Sequence, residues 1–305
     1  MTDISVIIVN YNTAHIIKTC ITSILKQEKI NYEIIVIDNA SQDQSLKTLQ
    51  EFKDKITLIP SKINLGFGKA NNEAFKHALG KYLLLLNPDA ELQNSQDLNK
   101  IYSFMKTNPQ YGLVGTKIVN ENQNTETKPK HYYSGEKYIK HSLKALPGTI
   151  AWVLGACMII PKEVYKKTGG FDEDFFLYAE DADLCLRIRK LGLEIGYFPA
   201  VTIHHIGSAS EHKTSKYDLT LKKHQALLTF YKKHYSEQDV KLLVKKELHK
   251  ANLRIFFHKL ALFFSRVLNK ESRIKYHQNN IQHYQAICEV NKNISSDNKI
   301  KVTSV

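Results

Sequence analysis

The first 86 residues of this chain repeat one alternation, and that alternation limits the fold more than any other feature. Short runs that are apolar at nearly every position, "ISVIIV" (4–9), "YEIIVID" (32–38), "ITLIP" (56–60) and "YLLLLNPD" (82–89), are separated by segments of helical period. Those segments are "AHIIKTCITSIL" (14–25), "DQSLKTLQEF" (43–52) and "GKANNEAFKHAL" (68–79). A strand wetted on one face alternates apolar and polar residues, whereas one that is apolar throughout is covered on both faces. Strand–helix alternation of this kind predicts an α/β fold, a Rossmann-like, doubly wound and mostly parallel sheet. The fourth run stops abruptly on Asn87-Pro88-Asp89, and ligands of such sheets bind beyond the carboxyl ends of the strands.

Further on, a helix is expected over 96–107, a strand in "YGLVGTKIVN" (111–120) and a polar loop or insertion over 121–146. "AWVLGACMIIP" (151–161) reads as an apolar strand pair or strand-turn and "KEVYKKTGGF" (162–171) as a short helix closed by glycines. "AEDADLCLRIRKLGL" (179–193) reads as an amphipathic helix, and "EIGYFPAVTIHHIG" (194–207) as a strand reaching two histidines.

Charge divides the chain in two. The net charge is +13, but residues 211–305 carry 19 Lys and Arg against 8 Asp and Glu, a net of +11, leaving +2 for residues 1–210. This predicts a domain boundary, with one domain over 1–210 and a helical, basic extension over 211–305, its last dozen residues disordered. Within the extension, "LRIFFHKLALFFSRVL" (253–268) places Leu253, Phe256, Phe257, Leu260, Phe264, Val267 and Leu268 on one stripe, with Arg254, His258, Ser265 and Arg266 largely opposite. That pattern suits a helix lying on an anionic membrane, packing on its own domain, or joining two copies in a homodimer. The start of the chain shows no basic n-region, and no apolar stretch approaches the roughly 20 residues of a spanning helix. The four cysteines match no metal or redox spacing, so reduced thiols and a cytoplasmic protein are expected, peripheral at the inner face of the cell membrane.

Three carboxylate placements suggest chemistry: Asp38 ending "VIDNAS", Asp89 ending "LLNPDA", and Glu180-Asp181-x-Asp183 opening a helix. Each alone has a plain structural explanation, as a turn residue or a helix-start charge. As strand-end groups of one sheet, Asp38 and Asp89 are expected to be neighbours in one crevice.

Taken in order, "SVIIVNYN", "VIDNAS", "NLGFGKANN", "LLNPDA", "GACMIIPKEVYKKTGGFDEDFFLYAEDADLCLR" and "HHIGSAS" resemble an inverting family 2 glycosyltransferase of the GT-A fold, in its rhamnosyltransferase-like branch. The resemblance covers roughly residues 4–210. It implies sugar transfer from a UDP- or dTDP-sugar to a glycan or lipid-linked saccharide acceptor, in cell-surface polysaccharide synthesis. It also implies a divalent cation, Mn²⁺ or Mg²⁺, held at an Asp-x-Asp motif that here reads Asn87-Pro88-Asp89. One carboxylate of that motif is retained, and His204 or His205 would complete the coordination. Adjacent strand residues point to opposite faces, so at most one of the two reaches the metal.

By the same resemblance, Asn10, Tyr11 and Asn12 pack around the nucleotide base, and Asp38 accepts the N3–H of a uracil or thymine. Asn64, Gly66 and Lys69 lie beneath the ribose and phosphates, and Asp181 is the catalytic base beside Glu180. Asp183, Trp152 and Gly155 fall on the acceptor side, and Arg187 is a structural partner of the carboxylates. Two other classes fit the sequence less well. A nucleotidyltransferase would carry a Gly-rich, basic loop after the first strand, which "VNYNTAH" lacks. A nucleic-acid-binding protein is suggested by charge alone, but the basic tail carries none of the usual signatures, so no nucleic acid is expected as a partner.

Overall fold

The structure is a computed structural model of the chain and describes residues 1–120, 125–139, 143–207 and 214–296. The chain divides into two compact units, Met1–Tyr133 with Lys144–His212, and Ser134–Leu143 with Lys213–Val305.

The first unit is built on one sheet. Its strands are β1 (Ile4–Asn10), β2 (Tyr32–Asp38), β3 (Thr57–Pro60), β4 (Tyr82–Leu86), β5 (Ala90–Leu92), β6 (Tyr111–Asn120), β7 (Thr125–Thr127), β8 (Cys157–Pro161) and β9 (Glu194–His205). Its helices are α1 (Ile17–Leu25), α2 (Ser45–Gln50), α3 (Phe67–Phe75), α4 (Asp97–Thr107), α5 (Lys162–Thr168) and α6 (Glu180–Lys190). The sheet order is β3-β2-β1-β4-β8-β6-β9-β5, with β7 beside β6. The pairs β3–β2, β2–β1, β1–β4 and β6–β9 are parallel, while β8 is antiparallel to β4 and β6, and β5 to β9.

The apolar strands β1, β2 and β4 are covered on both sides, as their composition requires, whereas β3 lies at the sheet edge and is only partly buried, with Thr57 and Pro60 exposed. Ile4, Val6, Ile8, Leu84 and Leu86 pack with α1 and α4 through Ile17, Cys20, Ile21, Ile24, Leu98 and Ile101. Ile7, Val9, Leu83 and Leu85 face the other way, against Ala70 and Ala74 of α3, Tyr165 of α5, and Leu184 and Ile188 of α6. Each such side chain, fully buried, contributes about 1.5–3 kcal/mol. All four cysteines are free and buried.

Several helices are shorter than their periodicity predicts. The segment 14–25 becomes helical at Ile17, because Thr13 O accepts the N–H of both Ile16 and Ile17 and turns the chain first. The segment 68–79 is helical from Phe67 to Phe75, and 76–78 close as turns, leaving Leu79 exposed. The expected loop over 121–146 holds β7 and two 3₁₀ turns, Glu136–Tyr138 and Leu143–Ala145.

The second unit contains α7 (Lys216–His234), α8 (Glu237–Val267) and α9 (Glu271–Ser296). The first two begin at Ser-x-x-Asp: Ser215 Oγ accepts the N–H of Asp218, and Ser236 Oγ that of Asp239, so each cap satisfies an otherwise unpaired amide. Tyr235 donates its hydroxyl to Ser134 O at 2.6 Å, and Glu247 accepts from Tyr231 at 3.1 Å and Asn291 at 3.3 Å. Ala251 of α8 packs on Ile287 and Cys288 of α9. No helix of the described residues is long and apolar enough to cross a membrane. The expectation of disorder at the end falls on 294–305, of which 297–305 lie outside the described residues; α9 runs to Ser296.

Candidate functional site

The parallel register sets Asn10 opposite Asp38. Asn10 Nδ2 donates to Asp38 Oδ1 at 2.8 Å, and Ser41 N–H donates to Asp38 Oδ2 at 3.1 Å, with Asp38 fully buried. The turns after β1 and β2 are stapled together. Asn12, at φ 54°, donates its N–H to Ser41 Oγ at 2.9 Å, and its Oδ1 accepts from Gln42 N–H at 2.7 Å. Tyr11 is half-buried on the same turn. Because β1 lies between β2 and β4, Asp38 and Asp89 are not adjacent. Two strand spacings, about 10 Å, separate their strands.

Asn39 was not singled out from the sequence, yet it organises the next loop. Its Nδ2 donates to Asn64 Oδ1 at 2.9 Å and Gly66 O at 3.2 Å, while its Oδ1 accepts from Leu65 N–H at 2.8 Å. Gly66 is required where it stands. Its φ is +79°, and an added Cβ would lie 2.4 Å from Phe176 O. The close approach lets Phe67 N–H donate to Phe176 O at 2.8 Å, tying the start of α3 to the segment that leads into α6. Asn72 of α3 reinforces the tie: its Nδ2 donates to Phe171 O, and its Oδ1 accepts from Phe171 N–H and the Tyr165 hydroxyl. Lys69 pairs with Glu173 at 3.1 Å on the surface.

Past β4 the chain turns through Asn87-Pro88-Asp89 into β5, whose antiparallel register sets Ala90 opposite His205 and Glu91 opposite His204. That register separates the histidines. His205 Nε2 stands 3.1 Å from Asp89 Oδ1 and 3.3 Å from Asn87 Nδ2, while His204, one residue back, projects to the other face. Asp89 Oδ2 accepts from Gly207 N–H at 3.0 Å. Burial pushes the Asp89 carboxyl up, but the hydrogen bond and charge of His205, with the backbone amides, outweigh it and hold Asp89 below the ordinary carboxylate range. Among the described residues, no group of three or more His, Cys, Asp and Glu side chains could hold a metal alone. The "SAS" of "HHIGSAS" lies outside the described residues.

Helix α6 carries the third carboxylate group and begins after two consecutive left-handed residues, Tyr178 at φ 74° and Ala179 at φ 64°. Non-glycine residues held so cost of order 1–3 kcal/mol each and cluster at functional sites. Asp181 is buried, with Oδ2 accepting from Gly155 N–H at 3.1 Å and Oδ1 from Ala182 N–H at 2.8 Å. Glu180 is also buried, and its Oε2 has no hydrogen-bond partner among the described residues. Burial raises the pKa of both acids, and the charge of Asp181 raises Glu180 further. Asp183 is fully buried. Its Oδ2 accepts from Arg187 Nε at 2.8 Å and Nη2 at 2.7 Å, while Arg187 Nη1 donates to Thr168 O and Gly170 O. Asp183 and Arg187 thus pin α6 to the end of α5. Trp152 pairs through its backbone with Lys130, and its half-buried ring packs on the core beneath α3 and α6.

Two hydrogen bonds, one between backbone groups and one from a backbone amide to a side chain, join the second and third groups. Asn87 N–H donates to Ala156 O at 2.9 Å, and the neighbouring Gly155 N–H donates to Asp181 Oδ2. The Asn87–Asp89–His205 turn and the Asp181 helix therefore share one backbone strut, the stretch 155–156 leading into β8.

A family model described as "Glycosyl transferase family 2" matches residues 5–169, and one described as "N-terminal domain of galactosyltransferase" matches residues 142–213. The chain is 28% identical over 214 residues to a low-salt glycan biosynthesis hexosyltransferase of Haloferax volcanii, covering 67% of each chain. It is 22% identical over 236 residues to an N-acetylglucosaminyl-diphospho-decaprenol L-rhamnosyltransferase of Mycobacterium tuberculosis, covering 67% of this chain and 76% of the other. Among solved structures, a mannosyltransferase from Pyrobaculum calidifontis in complex with GDP-Man and Mn²⁺ superposes with a TM-score of 0.61 at 18% identity, covering 96% of this chain and 88% of that one. TarS 1-349 of S. aureus in complex with UDP gives 0.53 at 18% identity, covering 96% and 91%.

Proposed function

This chain belongs to glycosyl transferase family 2, an enzyme with a GT-A type fold, and on that premise we propose that it moves a sugar, with inversion, from a UDP- or dTDP-sugar to a glycan or lipid-linked saccharide acceptor in cell-surface polysaccharide synthesis. The observation that carries this reading is the strut at Gly155–Ala156, which holds a hard-donor cluster and a buried acid of raised pKa on one stretch of backbone.

Asp181 is the proposed base. With its pKa raised by burial, its carboxylate is a better proton acceptor than a surface Asp while still ionised near neutrality. It takes the proton of the acceptor hydroxyl as that oxygen bonds to the anomeric carbon; the bond from that carbon to the phosphate oxygen breaks on the opposite side, and its electron pair leaves with the nucleoside diphosphate. Gly155 N–H and Ala182 N–H hold the two carboxylate oxygens in place for this transfer. Glu180 and the Asp183–Arg187 pair are positioning residues that fix the start of α6. Trp152 and Gly155 fall on the acceptor side of this reading.

The Asn87–Asp89–His205 cluster fits a divalent cation, Mn²⁺ or Mg²⁺. Asp89 Oδ1 and His205 Nε2 lie 3.1 Å apart, and adjacent ligands of an octahedral ion with bonds of about 2.1 Å are separated by ~3.0 Å. Such ions are commonly held by one or two protein groups together with substrate phosphates, and when bound here the ion would neutralise the charge gathering on the departing diphosphate. Asn87 would orient His205.

Asn64, Gly66 and Lys69 are assigned to the ribose and phosphates, with Lys69 exchanging Glu173 for a phosphate oxygen. Asn10, Tyr11, Asn12 and Asp38 are assigned to the base. Asp38 is fully buried and bonded to Asn10 Nδ2 and Ser41 N–H, so accepting the N3–H of a uracil or thymine requires the turn around it to open, and Tyr11 would supply an aromatic face. Residues 1–210 form the catalytic domain of this reading, apart from Ser134–Leu143, which cluster with the second unit. Residues 211–305 form a basic extension that keeps the enzyme cytoplasmic and peripheral at the inner face of the cell membrane.

Calorimetric titration with UDP, dTDP and GDP, with and without Mn²⁺, tests the proposal. Binding of UDP or dTDP that strengthens with Mn²⁺ is expected; a folded sample that binds none of the three diphosphates would overturn it.

A further inference from the structure

Helix α8 changes sides halfway along its length. In its first half the large apolar residues Val240, Leu243 and Val244 are buried, and Ala251 continues that side two turns further on. In the second half the same side carries Ala251, Ile255, His258 and Ser265. Ala251 and Ile255 pack with Ile287, Cys288 and Tyr284 of α9, His258 Nδ1 stands 3.0 Å from His277 Nδ1, and Ser265 is buried with its hydroxyl donated to Ala261 O. The seam against α9 is therefore filled by Ala251, Ile255, His258, Ser265 and the partly buried Leu262, and takes none of the four phenylalanines of the helix. The bulky residues Phe256, Phe257, Leu260, Phe263, Phe264 and Val267 fall about half a turn round the helix, away from that seam. They are between 47% and 68% exposed. A helix that merely packed on its own unit would turn these six residues inward and leave the small ones outside.

The charges beside the stripe say what covers it. Between Glu247 and Glu271 the sequence contains Lys250, Arg254, Lys259, Arg266 and Lys270 and no Asp or Glu. Two copies set stripe to stripe would bring these cations together without a counter-charge. A bilayer bearing anionic headgroups offers apolar depth for the phenylalanines and negative charge for the flanking lysines and arginines. Polar and charged residues continue round the rest of the helix, so it suits lying in the interface rather than spanning it.

We infer that the outer face of the second half of α8, centred on Phe256, Leu260, Phe263 and Val267, is a docking surface for an anionic lipid bilayer, inserted at headgroup depth and flanked by the basic residues of the same helix. The inference rests on the reading of the extension as the membrane-facing part of a family 2 glycosyltransferase, and it narrows that role to one face of half a helix.

The test uses the full chain, sedimented with vesicles of phosphatidylcholine alone or mixed with phosphatidylglycerol, beside the variant F256S/F263S and the charge variant R254E/K259E. Both variants change exposed positions opposite or beside the α9 seam, and circular dichroism checks that their helices are retained. Wild type is expected to sediment with the mixed vesicles and to be released by salt. F256S/F263S should partition about tenfold less, and R254E/K259E should lose its preference for anionic lipid. Unchanged sedimentation of F256S/F263S would overturn the inference. So would a wild-type dimer in sedimentation velocity that the same variant converts to monomer without any vesicle binding. UDP and dTDP titration of the same samples separates the two readings: loss of vesicle binding with nucleotide binding intact removes the docking surface alone, and vesicle binding without nucleotide binding removes the reaction alone.

Discussion

In the sheet unit the unusual residues are polar and buried, whereas in the helical unit they are apolar and exposed. Asn10, Asp38, Asn39, Asp181 and Asp183 have almost no surface, and each is held by named donors or acceptors. Phe256, Phe257, Phe263 and Phe264 are more than half exposed, although a core would readily take them. Burying a polar group costs free energy unless it is fully paired, and an exposed apolar stripe is a liability unless something covers it. The two departures differ in kind: the cost of the first is met by hydrogen bonds inside the unit, and the proposed roles read it as the reaction site and the second as a surface covered from outside.

The comparison is most easily broken at Asp181. Asp181→Asn keeps the shape and removes the proton acceptor, so nucleoside diphosphate release from the donor in the presence of acceptor should fall on the order of 10³-fold, with nucleotide binding retained. Activity within a few-fold of wild type would remove Asp181 from the role of base. In the wild type, activity should rise with pH along a limb displaced above the ordinary carboxylate range, because burial raises this acid.

Next in size is the contrast between one buried polar residue and one exposed apolar residue. Asp183→Ala leaves the Arg187 guanidinium without its carboxylate and should destabilise the fold by about 3 kcal/mol. Phe263→Ser in the helical unit should change stability by less than about 0.5 kcal/mol. Denaturant titration of both variants measures the difference, and equal losses would mean that the Phe263 side chain is packed rather than exposed.

The smallest expected effect concerns Glu180, whose Oε2 has no hydrogen-bond partner among the described residues. Its pKa is raised in the folded chain by burial and by the neighbouring Asp181 charge. The folded state therefore holds this proton to higher pH than the unfolded state does, and stability is lost as pH rises from the ordinary carboxylate range through the raised value. Glu180→Gln should remove that slope, gaining about 1 kcal/mol over wild type on the alkaline side, as thermal melts across pH would show. An unchanged slope would place its origin elsewhere.

The strands of the sheet were legible because "ISVIIV", "YEIIVID" and "LLLL" are apolar at successive positions and leave no wetted face. The carboxylates stood out because each ends a strand or opens a helix. Which of His204 and His205 stands beside Asp89 was not legible, since it depends on the register of β5, a three-residue strand with no period of its own. Nor could the strained turn at Tyr178–Ala179 be anticipated, because no glycine advertises it. Asn39 and Asn72 passed as ordinary turn and helix polar residues; their roles depend on loops brought close by the fold. The apolar stripe of α8 was visible by helical spacing, though Phe263 was missed. Its orientation was not, because outward-facing and inward-facing stripes have the same period.

The most direct test of the central claim is Mn²⁺-dependent binding of UDP or dTDP, measured by calorimetry on wild type, Asp89→Ala, His205→Ala and His204→Ala. The account predicts that Asp89→Ala and His205→Ala lose the enhancement by Mn²⁺ while His204→Ala keeps it. Enhancement that survives Asp89→Ala, or that disappears with His204→Ala but not with His205→Ala, would contradict the assignment of the Asn87–Asp89–His205 turn as the metal and diphosphate site.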